Sequence, residues 1–154
     1  MNYECIKELT SIQLKKMEKE QCRKFLPDKT RIVTLDGKEI GFYAIFFICG
    51  RLTLEYYLFE AYQHKGMGAG FVQAVTDFVG QEYPEFSTIY LLIYYNNIGS
   101  LCVAQKNGYS TGCVDYEFSE IVSAESPEYY LYGKNNVYYK NDAKRLVKAK
   151  ELYE

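Results

Sequence analysis

The segment Tyr62-Gln63-His64-Lys65-Gly66-Met67-Gly68-Ala69-Gly70 constrains the fold of this chain more than any other. It follows an apolar run from Leu52 to Phe59. It opens a stretch in which Met67, Phe71, Ala74, Val75, Phe78 and Val79 fall on one helical face. A strand therefore turns into a helix through a loop of small residues. The first four N–H groups of such a helix have no intrahelical partner and carry the positive end of its dipole. Glycines at 66 and 68 leave no side chain over those donors, and Lys65 adds a cation. The loop reads as a cradle for pyrophosphate. A P-loop is excluded, because Lys65 precedes its glycine and no hydroxyl residue follows. A dinucleotide fingerprint needs Gly-x-Gly-x-x-Gly, and this loop reads Gly-x-Gly-x-Gly. A plain strand-to-helix turn is the alternative that remains.

The 154 residues suit a single domain, 1–154, and no repeat, linker or low-complexity tract divides them. With 48% hydrophobic and 25% charged residues the composition is that of a globular protein. A net charge of -2 argues against nucleic acid as a general partner. The longest apolar run, Phe42 to Cys49, is too short to cross a bilayer. No signal peptide is expected, since Lys7, Glu8 and the charged 15–24 stretch interrupt any apolar core. Five cysteines, never spaced as C-x-x-C, and one histidine make a metal site unexpected. Reduced thiols and a cytoplasmic location are the natural reading.

A short strand is expected over 2–7, then an amphipathic helix over 11–25 behind a Thr10-Ser11 cap, ended by Pro27. Arg31 to Leu35 and Ile40 to Ile48 read as strands joined through Asp36-Gly37-Lys38, and Gly50-Arg51 leads into Leu52 to Phe59. After the helix at about 66–82, Thr88 to Tyr95 reads as a covered strand. Ile98 to Asn107 reads as a helix capped by Asn97 and stopped by Gly108. Strands over 109–117 and 128–139 and a helix over 141–152 complete the expectation. Strand, helix, strand implies a parallel pair with a right-handed crossover. The loops after both strands then share one edge of the sheet, where ligands of such sheets bind.

Gln63-x-x-Gly66-x-Gly68 resembles the acetyl-CoA loop of the GNAT superfamily of N-acetyltransferases, Gln/Arg-x-x-Gly-x-Gly/Ala. Asn97-x-x-Ser100, followed by Lys106-x-Gly108-Tyr109, is similar to the segment after the fifth strand in that superfamily. The resemblance implies an α/β (α+β) fold, a mixed central sheet of six to seven strands flanked by helices. It implies transfer of an acetyl group from acetyl-CoA to a primary amine by direct attack in a ternary complex. Cofactor contacts carry over to Gln63, His64, Lys65, Gly66, Met67, Gly68 and Ala69 in the loop, and to Asn97 and Ser100. Backbone donors near Leu58 and Phe59 would hold the pantetheine arm and polarise the thioester.

Glu55 stands where some members keep a general base, though a solvent-facing strand residue would look the same. Many members have a tyrosine four residues after the Ser100 position, as the acid for the departing thiolate; this chain has Ala104. Tyr94, Tyr95 and Tyr109 lie near in sequence, and unaided departure is also open. The acceptor expected is a small-molecule or peptide amine. The acidic residues Asp115, Glu117, Glu120, Glu125 and Glu128 suggest that it is cationic, unless they form a solvated loop. Neither the acceptor nor a homodimeric state is fixed by the sequence. The rival readings are a non-catalytic acyl-CoA-binding or regulatory domain and a nucleotide-phosphate binder.

Overall fold

The computed structural model describes residues 2–139, and the expected helix over 141–152 lies outside them. Six strands form one sheet in chain order: β1 (Tyr3–Ile6), β2 (Thr30–Leu35), β3 (Lys38–Ile48), β4 (Arg51–Leu58), β5 (Thr88–Tyr94) and β6 (Tyr129–Asn135). Two turns fix the first meander. Asp36 and Gly37 both sit at positive φ, 50° and 85°, and so do Cys49 and Gly50, at 52° and 73°. Paired left-handed residues are what a two-residue hairpin turn requires, and their twist matches that of the strands. β1 to β4 are antiparallel in sequence, β4 and β5 are parallel, and β5 and β6 are antiparallel.

Alternation sorts the side chains onto two faces. Val33, Tyr43, Ile45, Leu54, Ile89, Leu91 and Ile93 pack on one face against Phe71, Val72, Val75 and Val79 of α2 (Gly68–Glu82) and Ala104 of α3 (Ile98–Lys106). The opposite face carries Ile32, Phe42 and Ala44 under Met17 of α1 (Ser11–Gln21). Farther along, Tyr90 lies under Phe118 and Val122 of α4 (Tyr116–Glu125). The described helices thus divide two and two across the sheet. Among the described residues no helix is long and apolar enough to cross a membrane.

Two expectations are corrected. α1 begins at the expected place, where Thr10 and Gln13 form a capping box, but it stops at Gln21 rather than 25. Cys22 turns left-handed at φ 54°, which frees Phe25 to enter the core beside Phe42. The strand expected over 109–117 is a single bridge, Ser110 to Gly133, followed by a 3-10 turn over Thr111–Cys113 and then α4. The missed signal is Asp115, whose Oδ1 accepts from the Phe118 N–H at 2.8 Å as an N-cap. Phe118 and Val122, four apart, then face the sheet.

At its far end α2 is tied to the sheet by an ion pair. Arg31 of β2, its side chain 8% exposed, donates from Nη2 to Glu82 Oε1 at 2.7 Å. Replacing Glu82 by alanine strands a buried guanidinium, a loss of about 3 kcal/mol. A melting-point drop of about 6–12 °C in Glu82→Ala is the expected outcome.

Candidate active site

β4 and β5 pair only at Thr53 with Tyr90 and Leu54 with Leu91. β4 nevertheless continues to Leu58 and β5 to Tyr94, so beyond Leu54 the two strands part and the sheet is split. The phase of the β3–β4 ladder decides which groups face the split. The Phe59 N–H donates to the Ile40 carbonyl at 2.8 Å, which makes that pair a hydrogen-bonded one. Hydrogen-bonded and open pairs alternate, so in the pairs Gly41–Leu58 and Tyr43–Tyr56 the backbone of β4 points away from β3. The N–H groups of Tyr56 and Leu58 are therefore aimed where β5 has departed. Phe59, expected as a donor from the sequence, is not one: its N–H is spent on Ile40 and its ring is buried.

Two recesses open on the two sides of the split. One, of about 490 Å³, is lined by Leu58, Gln63, His64, Gly66, Met67, Gly68, Phe71 and Val103. The other, of about 480 Å³, is lined by Arg23, Phe46, Thr53, Glu55, Leu92, Tyr94 and Tyr129. Tyr56, Tyr57, Asn97 and Ser100 line both. The recesses thus meet in the split at these four residues.

In the first recess, Gly66 sits at φ 75° with open space where a Cβ would stand, and Met67 follows in the right-handed region. Such a change of hand turns successive N–H groups into an anion-binding concavity. Met67 is the N-cap of α2 and supplies no side-chain acceptor to the first turn. The amides at the helix start are left for a ligand. Gly68 has a different reason: a Cβ there would meet Val103 at 3.2 Å, so its small size lets α2 approach α3.

The remaining loop residues divide. His64, at φ 60°, and Lys65 are exposed, and Lys65 stands outside the lining of the recess. Ala69 is also outside the lining, and its carbonyl accepts from Asn107 Nδ2 at 3.2 Å. Gln63 donates from Nε2 to the Leu58 carbonyl at 2.8 Å and so fastens the loop to the end of β4. Asn97 Oδ1 accepts from the Ser100 N–H at 3.2 Å, capping α3, while the side chain lines both recesses. Ser100 Oγ lies 2.8 Å from the Tyr56 hydroxyl.

On the second side, Glu55 is half-buried and paired with Arg23, whose guanidinium also lies 4.5 Å from the Phe25 ring. None of the five carboxylates between 115 and 128 lines this recess, and Glu55 is the carboxylate that does. Asp115 is engaged elsewhere. Arg51 holds it bidentately at 2.9 and 3.0 Å, and the Tyr90 hydroxyl donates to it at 3.0 Å. The Arg51 guanidinium keeps the Asp115 carboxyl below its ordinary pKa.

None of the tyrosines named from the sequence stands where the two recesses meet. Tyr109 is buried with its hydroxyl 2.8 Å from Thr76 Oγ1, and burial pushes that phenol up. Tyr94 stacks on Tyr95 and meets Tyr129 edge-on, on the second side only. Ala104, at the usual position, is fully buried. The residue that sequence reasoning missed is Tyr56, whose ring stands edge-on to Phe71 at 6.2 Å. Its place on β4, facing α2 and α3, follows from the same alternation that puts Glu55 on the other side.

The model of the acetyltransferase (GNAT) domain matches residues 10–110, well over half of the chain, and the chain belongs to that family. The fold is shared with solved acetyltransferases at low sequence identity. The aminoglycoside acetyltransferase AAC(6')-Ib, in complex with coenzyme A and kanamycin, is 14% identical with a TM-score of 0.64, over 89% of this chain and 96% of that one. PseH from Campylobacter jejuni, an N-acetyltransferase in complex with acetyl coenzyme A, is 14% identical with a TM-score of 0.60, over 87% and 97%. A ribosomal-protein-alanine N-acetyltransferase from Escherichia coli is 12% identical with a TM-score of 0.59, over 92% and 97%. No curated protein matches the chain by sequence.

The cradle is tested with an isosteric pair. Aspartate and asparagine both tolerate the left-handed conformation of Gly66 and differ in charge. Coenzyme A at a hundred times its Kd stabilises a protein by about 2.7 kcal/mol, a melting shift of roughly 5–10 °C here. The wild type should show that shift, Gly66→Asn should keep much of it, and Gly66→Asp should lose it.

Proposed function

We propose that the protein is an acetyl-CoA-dependent N-acetyltransferase acting on a primary amine by direct attack in a ternary complex. The observation that carries this reading is the split sheet, which joins a phosphate-cradling recess on one side to an aromatic, carboxylate-bearing recess on the other. The loop over 63–68 binds the pyrophosphate. The pantetheine arm lies in the split, where the N–H groups of Tyr56 and Leu58 and the Nδ2 of Asn97 are its donors. One of the strand amides polarises the thioester carbonyl and holds the oxyanion that forms on attack.

The amine enters from the side of Glu55. A lysine-like ammonium has a pKa near 10.4, so presenting it neutral at pH 7 costs roughly 4.6 kcal/mol. Glu55, directly or through water, takes that proton, and Arg23 gives up its place to admit the acceptor. Phe46, Tyr57, Tyr94 and Tyr129 give the recess apolar walls with polar tips, suited to a cationic amine carried on a ring or a short peptide. No cluster of three or more potential metal ligands stands together among the described residues, and no step needs one. The second reading, an acyl-CoA-binding domain without turnover, is favoured only by Ala104. Free thiol released from acetyl-CoA across a panel of polyamines, aminoglycosides and peptide N-termini separates the two. Binding of CoA with no amine turned over would support the second reading.

Glu55→Gln should lower kcat by about 10²–10⁴ while acetyl-CoA affinity changes little. Wild-type kcat/KM should rise with pH to a plateau as the enzyme–amine pair loses its proton. The variant should recover at high pH, where neutral amine is abundant. A variant with unchanged kcat at every pH would remove Glu55 from the chemistry.

A further inference from the structure

When the nitrogen–carbon bond forms and the carbon–sulfur bond breaks, the electron pair of that bond goes to sulfur. A bare thiolate in a recess walled by Leu58, Phe71 and Val103 is costly, so a donor placed at the split lowers the barrier. We propose that the Tyr56 hydroxyl, held in place by Ser100 Oγ, is that donor, giving its hydrogen bond to the departing sulfur. This rests on the acetyl-transfer reading above.

The geometry supports it on three counts. Tyr56 and Ser100 each line both recesses, so the residues that carry the two hydroxyls stand where the recesses meet. The 2.8 Å contact joins a phenol that can turn its proton outward to a serine that can donate behind it. The packing of the ring on Phe71 fixes its direction. Burial raises the Tyr56 phenol above its ordinary value, with the Ser100 hydrogen bond opposing that rise. The phenol therefore stays protonated and keeps its proton rather than surrendering it to a thiolate of pKa near 8.5. The balance closes without transfer from the phenol. Of the two protons an ammonium loses in becoming an amide, one leaves through Glu55 before attack. The other leaves the nitrogen of the adduct to water, and the thiolate takes one from water on release. Tyr57 also lines both recesses, but its ring turns to Phe42 on the α1 side.

Tyr56→Phe keeps the ring against Phe71 and removes only the hydroxyl. It should lower kcat about 10²-fold with little change in Kd for acetyl-CoA. The thiol of bound CoA, followed by ultraviolet absorbance of its thiolate, should titrate about one to two units below free CoA on the wild type and return on the variant. Ser100→Ala should fall between. Tyr57→Phe serves as the control and should leave the thiol titration unmoved. Wild-type kcat and an unmoved thiol titration in Tyr56→Phe would overturn the assignment while leaving acetyl transfer intact. A wild type that binds no CoA would remove both.

Discussion

The shortness of one ladder governs this structure. Two residue pairs join β4 to β5, and beyond them a strand pair that elsewhere would continue leaves its backbone open. Open N–H and C=O groups inside a sheet demand partners from water or a ligand. Here they are supplied with a recess on either side. The sheet tolerates the split because α2 bridges it: Phe71, Val72 and Val75 pack in one cluster with Leu54 of β4 and Leu91 and Ile93 of β5. The helix that begins at the first recess is thus also the splint that holds the two halves together, and the Arg31–Glu82 pair fixes its other end.

Much of this was legible in the sequence, and particular residues show why. Gly66 is needed at a left-handed position with nothing above it, and only glycine supplies both at no cost. The Cys49-Gly50 turn fixes the register of β3 and β4, so the side-chain faces of Glu55 and Tyr56 follow by counting. The phase of the backbone was available by the same count. A two-residue turn closes on a hydrogen-bonded pair, here Ile48 with Arg51, and alternation carried down the hairpin leaves Gly41–Leu58 open. That count assigns the free donors to Leu58 and Tyr56, whereas the family resemblance had suggested Leu58 and Phe59.

What stayed hidden depends on distance rather than pattern. Nothing local says where a parallel ladder stops, because that is set by helices packed across it. Asp115 looked like part of an acidic cluster because its real partners, Arg51 and Tyr90, are 64 and 25 residues away. Tyr56 looked like one aromatic among seventeen tyrosines until α3 brought Ser100 against it.

The Arg23–Glu55 pair has a meaning that its partners' exposure brings out. Both side chains are more than a third exposed, at 42% and 37%, so solvent screens the attraction and the pair adds little to stability. A pair of small worth is one that a third charge can break. On the proposed reading, an acceptor ammonium entering the aromatic recess competes for the same carboxylate, while the guanidinium can keep its contact with the Phe25 face. On that same reading, Arg23 holds Glu55 in place before the acceptor arrives. Once Arg23 is displaced, the carboxylate would face an ammonium that must lose a proton before its nitrogen can attack. The exchange of one cation for another would then turn a surface ion pair into the base that the proposed reaction needs.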